Sequence, residues 1–250
     1  SSAQPPALKP ILRKGYERSV GRRGALRLLA QTVRGLCVLP LIPFTNVLLI
    51  NPSAQAAAVR PKDEDMNHDT TSTRDPYRLP RHVIPTRYEL RLEPDLARAT
   101  FTGQAVVILT ITQPTTMIVM NAVDLAISQA DIDGLTGAYR AVSIELDEPL
   151  QRCRLTFAQA LAPGEWTVRL TFQGTLNDKL RGFYRSTYKD QSGTTQTMAA
   201  TQFEATDARR AFPCWDEPDF KAVFATTLVI DPGLTAVSNT SVVSESLEAG

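Results

Sequence analysis

Residues 182–221 read GFYRSTYKDQSGTTQTMAATQFEATDARRAFPCWDEPDFK, and the run that ends in Gln202-Phe203-Glu204 alternates as a strand does. Side chains along a strand alternate between its two faces, so Gln202 and Glu204 project together while Thr201 and Phe203 project to the other side. An amide beside a carboxylate on a rigid element is a candidate anchor for a small cationic group. The sequence therefore predicts a binding site at this strand.

The residues that follow this strand are charged and predict a short helical turn. Thr206 or Asp207 is placed to cap a turn over residues 208–211. Arginine forks suit partly buried carboxylates, so Arg209 and Arg210 are expected to fix the loop through ion pairs. The candidate partners are Asp207, Asp216 and Glu217. Cys214 lies in the apolar setting Phe-Pro-Cys-Trp and is expected to be buried rather than reactive.

From Arg87 onward the sequence is typical of β structure. Alternating or β-branched runs predict strands, and turn residues recur between them. The predicted strands lie at residues 88–92, 104–112, 115–120, 141–146, 154–157, 166–172 and 223–230. The predicted turns lie at residues 93–95, 133–134, 162–164 and 231–233. Many short strands without long helical periods predict an all-β fold, an antiparallel saddle-shaped β-sandwich over residues 76–250.

Residues 1–75 differ from the rest and are expected to be a poorly structured basic and apolar leader. They carry 11 Lys and Arg against 6 Asp and Glu, and an apolar run extends over residues 36–50. This order is typical of a targeting segment, either a secretory signal or a transit peptide. The alternative is a non-native extension, with Met66 as the natural start. Met66 as the start predicts a cytoplasmic protein, whereas a native targeting segment predicts a membrane-associated, secreted or organellar one.

Composition and motifs limit the chemistry that these residues can support. Residues 76–250 carry 16 basic against 20 acidic side chains, which gives no reason to expect a nucleic-acid partner. The two histidines, His68 and His82, belong to no H-E-x-x-H helix, and no phosphate-binding glycine motif is present. Three widely spaced cysteines predict neither a disulfide framework nor a zinc site. We therefore predict no catalytic residue and no metal ligand in this chain.

Several blocks of the sequence resemble the N-terminal domain of the aminopeptidase N family of zinc aminopeptidases. They are GFYRS at residues 182–186, TQFE at residues 201–204 and DARRAFPCWDEP at residues 207–218. Residues 77–80 and 85–90 also look like the opening of that domain. The resemblance covers residues 76–250, and the matches occur in the expected order.

The resemblance implies roles for two residues. In the family, the glutamate of the Q-x-E element helps to bind the free α-amino group of a peptide substrate, and the glutamine lies in the same pocket. Carried over, Glu204 is the amine anchor, Gln202 is its neighbour, and the partner is a peptide with a free N-terminus. A carboxylate facing an ammonium gives a charge-assisted hydrogen bond, strongest where water is excluded.

The resemblance also implies parts that this sequence does not contain. The family's zinc ligands, general-base glutamate, G-x-M-E-N element and transition-state tyrosine lie in a following thermolysin-like catalytic domain. Zinc is therefore expected only in the intact enzyme, and this chain alone is expected to be inactive. The family's domain also continues past residues 237–239, so we expect Gly250 to cut it short by a strand or more.

Two alternative readings stay open at the level of sequence. One is a non-catalytic scaffold or binding relative that keeps the fold without zinc chemistry, although the presence of Glu204 argues against it. The other is a free-standing β-sandwich binding module. The coding sequence beyond Gly250 would distinguish these readings from the enzyme.

Overall fold

The computed structural model describes residues 77–247 and, for their backbone only, residues 8–15, 27–30 and 248–249. The chain divides into two compact units, one of Ser1–Thr32 with Leu79–Gly250 and the other of Val33–Arg78. All the strands belong to the first unit.

The described residues form fifteen strands and one short 3-10 helix at Ala208–Arg210. The strands are β1 (Leu8–Gly15), β2 (Arg27–Ala30), β3 (Val83–Asp95), β4 (Thr100–Ile111), β5 (Thr115–Asn121), β6 (Leu125–Gly134), β7 (Gly137–Arg140), β8 (Ser143–Asp147), β9 (Arg152–Leu161), β10 (Gly164–Thr175), β11 (Gly182–Lys189), β12 (Thr195–Gln202), β13 (Val223–Val229), β14 (Leu234–Val237) and β15 (Val242–Ala249). The predicted all-β class is confirmed.

The strands form three sheets. The largest has the order β15-β1-β13-β3-β4-β10-β6-β7, the second β11-β12-β2-β14, and the third β5-β9-β8. The ladders between the described strands are antiparallel, as predicted, apart from that of β13 with β3, which is parallel. A parallel pair requires a long crossover connection, and here that connection includes strands β4 to β12.

The core lies against one face of the largest sheet. Apolar side chains alternate along each strand, so they form rows across neighbouring strands on that face. Leu90 pairs with Ala105, Ala105 with Leu170, and Leu170 with Ala130, so one row of side chains crosses four strands. Each of the four side chains is buried. Burial of a Leu side chain stabilises the fold by roughly 1.5–3 kcal/mol, so such rows set the register of the sheet.

Each predicted strand overlaps an observed one, but two of the predicted turns are wrong. Residues 133–134 are the end of β6, and the turn lies after them at residues 135–136. The second error is the turn predicted at residues 93–95. These residues belong to β3, where Pro94 pairs with Phe101 of β4. The parallel ladder with β13 ends at Leu92, so Pro94 lies where β3 has β4 as its only ladder partner. A proline is tolerated at such an edge because its missing N–H is not needed by a second neighbour.

The structure describes only part of the predicted leader. Strands β1 and β2 lie within residues 1–75, and the other residues of that segment, with the apolar run at 36–50, lie outside the described residues. The assignment of this segment as a leader, and the compartment that depends on it, stay predictions. Among the described residues, no helix has the length and apolar character needed to cross a membrane.

Candidate functional site

The site begins with the hairpin of β11 and β12. The tip of this hairpin is organised by the Asp190 carboxylate, which accepts hydrogen bonds from the Ser192 amide at 2.9 Å, the Thr194 amide at 3.0 Å and Gln196 Nε2 at 2.8 Å. Hydrogen bonds from the Ser192 hydroxyl and from Gln196 lower the pKa of Asp190 to about 2. The strand that leads to Gln202 is therefore fixed at its far end by a local network.

The prediction that Gln202 to Glu204 form one strand is correct only for Gln202. The last pair of the hairpin joins Gly182 to Gln202, so no partner strand remains for Phe203, and Glu204 lies in the following turn. Gln202 and Glu204 are nonetheless both exposed, whereas Thr201 is buried and Phe203 half-buried. The predicted alternation of exposure therefore continues past the end of the strand.

Phe203 holds the turn to the core while its neighbours face solvent. Its ring lies edge-on to Phe212, with ring centroids 5.9 Å apart. Its carbonyl accepts a hydrogen bond from the Asp207 amide at 3.0 Å, which closes the turn containing Glu204. The Glu204–Ala205 peptide bond within this turn is cis.

The helical turn predicted after the strand is present as the 3-10 helix at Ala208–Arg210. Asp207 occupies the N-cap position, but its side chain forms no capping hydrogen bond. Its carboxylate accepts a hydrogen bond from Arg210 Nε at 2.8 Å instead. Arg210 also pairs with Asp124 at the start of β6, so its guanidinium links this turn to the large sheet.

Arg209 forms the most buried ion pair of the loop. Its Nε lies 3.0 Å from Asp216 Oδ2, and the two side chains are 11% and 3% exposed. Its Nη1 donates to Gln151 Oε1 at 3.2 Å. The arginine–carboxylate network expected from the sequence is thus confirmed for Arg209 and Arg210, while Gln151 was missed because nothing in the sequence connects residues 58 positions apart.

Asn121 is a second residue that the sequence did not reveal. Its backbone N–H donates to the Cys214 carbonyl at 2.7 Å, and the Cys214 backbone N–H donates to the Asn121 carbonyl at 2.9 Å. Its Oδ1 accepts a hydrogen bond from the Asp216 amide at 3.0 Å. Because Asn121 is buried at the end of β5, it fixes the loop after the 3-10 helix to the third sheet.

Glu217 ties the other end of the loop to the opening of the domain. Its carboxylate accepts hydrogen bonds from the Leu79 amide at 2.5 Å and from Arg81 Nη2 at 2.6 Å. The Arg81 guanidinium also lies 4.5 Å from the centre of the Phe220 ring. Glu217 is thus a structural anchor of the loop rather than an exposed ligand group.

The cysteines of the described residues are buried. Cys214 is 1% exposed, as the sequence predicted, and Cys153 is fully buried in β9. Burial raises the pKa of Cys153 to about 12, which keeps the thiol protonated at neutral pH. Neither thiol is therefore a nucleophile in the folded chain, and Cys37 lies outside the described residues.

No metal-binding constellation is present in the part of the chain that the structure describes. Within residues 77–247, no three His, Cys, Asp or Glu side chains are grouped closely enough to hold a metal ion. His68 lies outside the described residues, and His82 has no such cluster around it. The side chains in this part of the chain do not fit a zinc site.

Comparison with known proteins gives a consistent result. Residues 84–250 match the Peptidase M1 N-terminal domain family. The chain is 51% identical over 172 residues to aminopeptidase M1-D of Oryza sativa subsp. japonica, covering 68% of this chain and 19% of that protein. It is 44% identical over 172 residues to aminopeptidase M1 of Arabidopsis thaliana, a match that covers 67% of this chain and 20% of that protein. It is 41% identical over 169 residues to the puromycin-sensitive aminopeptidase of Caenorhabditis elegans, a match that covers 67% of this chain and 18% of that protein. The chain thus spans about a fifth of the length of these relatives.

Proposed function

The chain belongs to the Peptidase M1 N-terminal domain family, and we propose that it is the substrate-anchoring part of a zinc aminopeptidase. Glu204 binds the α-ammonium of a peptide, and Gln202 contributes an amide beside it. The observation that carries this proposal is that both side chains are exposed at the end of a strand whose neighbouring residues are held in the core. A site of this kind requires a free N-terminus and so selects the end of a peptide.

The contacts around the turn support this role physically. A carboxylate orients an ammonium well only when its backbone is fixed, because a mobile anchor loses binding free energy to ordering. Here the turn is closed by the Asp207–Phe203 hydrogen bond, and the loop after it is held by the Arg209–Asp216 pair. These contacts involve the residues that support the turn, and the side chain of Glu204 itself lies exposed at the surface.

Hydrolysis of the peptide bond takes place in another part of the intact protein. Because the chain spans about a fifth of the length of its relatives, we place the zinc and its ligands in a thermolysin-like catalytic domain outside the described residues. Zinc there would supply an activated water for peptide hydrolysis. The residues of this chain then bind and orient the amine, and peptides with a free N-terminus are the substrates of the whole enzyme.

The direct test is amine binding to the purified chain, followed by the backbone amide NMR signals of residues 202–205. Alanine amide should shift these signals in a saturable way, whereas N-acetylalanine amide, which has no ammonium, should not. Glu204→Gln should abolish the response. The matched control is Glu165→Gln, which removes an exposed carboxylate from β10 and should leave binding unchanged.

A second assay addresses activity. The chain alone is expected to release no product from alanine p-nitroanilide, with or without added zinc. Zinc-dependent release that disappears with a chelator would contradict the assignment of the chemistry to a separate domain. Binding of alanine amide that is equal in wild type and Glu204→Gln would favour a scaffold role over substrate anchoring.

A further inference from the structure

A cleft of about 720 Å³ lies where β4, β6 and β10 of the large sheet have their ends. Its floor is formed by paired polar residues, since Thr100 pairs with Thr175 and Thr102 with Gln173 across β4 and β10. Directly paired residues of antiparallel strands place their side chains on the same face of a sheet. Three hydroxyls and one amide therefore line the floor of what we call the threonine cleft.

Five charged side chains surround the threonine cleft. They are Asp124, Glu148, Lys179, Arg181 and Arg210. Arg210 is already engaged by Asp124 and Asp207. Within the described part of the chain, the side chains of Lys179, Arg181 and Glu148 form no hydrogen bond or ion pair. The cleft therefore offers a bound molecule two cations and one carboxylate.

The loop that carries the two cations is fixed by its own hydrogen bonds. Asn177 Nδ2 donates to the Arg181 carbonyl at 2.9 Å, and Asn177 Oδ1 accepts from the Lys179 amide at 2.8 Å. Leu180 between them has a φ of 57° and is 60% exposed. Because the backbone is held, a ligand need not order this loop when it binds, which lowers the entropic cost of association.

We propose that the threonine cleft binds a short acidic peptide segment, with its carboxylates on Lys179 and Arg181. A peptide N–H group would donate to Glu148, and the hydroxyls and the Gln173 amide would pair with its main chain. A small inorganic anion explains these features less well, because it fills little of a cavity within the roughly 300–1,000 Å³ range of ligand sites. This site uses none of the residues proposed to anchor the amine.

The test is calorimetric titration of the full chain with N-acetyl-Asp-Glu-Asp-amide at low ionic strength. Its blocked N-terminus prevents anchoring by Glu204. Saturable binding to one site is expected, and Lys179→Gln with Arg181→Gln should weaken it at least about tenfold, since two charge-assisted contacts are lost. The matched control changes Arg185 and Lys189 to Gln, two exposed cations on β11 outside the cleft, and should bind as wild type does.

One further probe, one further measurement and one further variant complete the test. N-acetyl-Asn-Gln-Asn-amide, the uncharged analogue, should not bind. Backbone amide NMR should place the shifted signals at Thr100, Thr102 and Thr175 of the wild-type chain, which does not depend on the folding of any variant. Glu204→Gln should bind the acidic peptide normally, so failure of the amine site and failure of this site are distinguishable.

Three results would overturn the proposal. The first is equal weakening by the two double variants, which would indicate non-specific attraction between charges. The second is binding of inorganic phosphate as tight as that of the peptide, which would make the cleft a simple anion site. The third is the absence of any shifted signal at the three threonines when the peptide is saturating.

Discussion

Gly182 lies so close to Arg210 that a Cβ atom added at position 182 would be 2.6 Å from the Cβ of Arg210. Gly182 also pairs with Gln202 in the last rung of the hairpin, and its φ of 66° falls in the left-handed region. One glycine therefore allows β11, the strand paired with the one that carries Gln202, to meet the 3-10 helix at van der Waals distance.

Gly182→Ala should destabilise the domain for two reasons. The left-handed backbone costs roughly 1–2 kcal/mol for a residue with a side chain, and overpacking against Arg210 typically adds roughly 1–3 kcal/mol. Urea unfolding measures the total decrease in the free energy of unfolding. Gly193→Ala is the control, because Gly193 has a φ of 82° but no atom within 4 Å of the added Cβ. Equal losses in the two variants would show that Arg210 does not restrict position 182.

Arg209→Ala should be among the most damaging single changes in the site loop. It leaves the Asp216 carboxylate, 3% exposed, without its cation, and breaking a buried pair in this way costs about 3–5 kcal/mol. Denaturant unfolding of the wild-type and variant chains gives the change in the free energy of unfolding. The reference is Arg98→Ala, whose side chain is 84% exposed and pairs with Asp95. An exposed pair contributes up to about 1 kcal/mol, so similar losses for the two variants would contradict the burial of the Arg209 pair.

Cys153 and Cys214 should resist alkylation by iodoacetamide at pH 8 in the folded chain. Both are buried, and the pKa of Cys153, raised to about 12 by burial, leaves almost no thiolate to react. Peptide mass mapping reports each thiol separately. Both should react fully in concentrated urea, and rapid labelling of Cys153 without urea would argue that β9 opens readily.

The Asp190 carboxyl should titrate in the folded chain with a midpoint of about 2, below its ordinary value of 3.8. Because the folded pKa is the lower one, the stabilising contribution is complete above pH 3.8 and is lost as the pH falls towards 2. Side-chain carboxyl NMR measures the midpoint. Asp190→Asn should loosen the hairpin at neutral pH, seen as faster hydrogen exchange in β11 and β12.

Asp178→Asn provides the comparison for Asp190. Asp178 is an exposed carboxylate in the loop before β11, and the structure gives it no partner among the described residues. Hydrogen exchange in the hairpin should therefore be unchanged in this variant. If both variants accelerate exchange equally, the effect is one of net charge and not of the hydrogen bonds at the tip.

The strands that the sequence predicted are those with a clean alternation or a β-branched run. Tyr88, Leu90 and Leu92 are all buried on one face of β3, and a period of two in an apolar pattern is enough to find them. Strand β6 was missed because its middle is polar and its ladder with β10 shifts register beside Thr171. A register shift moves side chains to the other face, so no single period describes that strand.

The candidate site was predictable to the extent that it is local. Asp207 and Arg210 are three positions apart, and their ion pair follows from the composition of the turn. Asn121 and Gln151 support the same loop from 95 and 58 positions away, through hydrogen bonds that depend on how the sheets pack. Polar residues of this kind carry no pattern in sequence, because their role is set by tertiary contacts alone.

The hydrogen bond from the Leu79 amide to Glu217 joins residues 138 positions apart, and the parallel β3–β13 ladder closes a similar distance. During synthesis on the ribosome, β3 is therefore complete long before its parallel partner β13 has been made. Contacts of such high sequence separation slow folding, and transiently unpaired strand edges are prone to aggregate. The contacts that hold the loop beside Glu204 to the opening of the domain therefore form only after the 138 positions from Leu79 to Glu217 have been made.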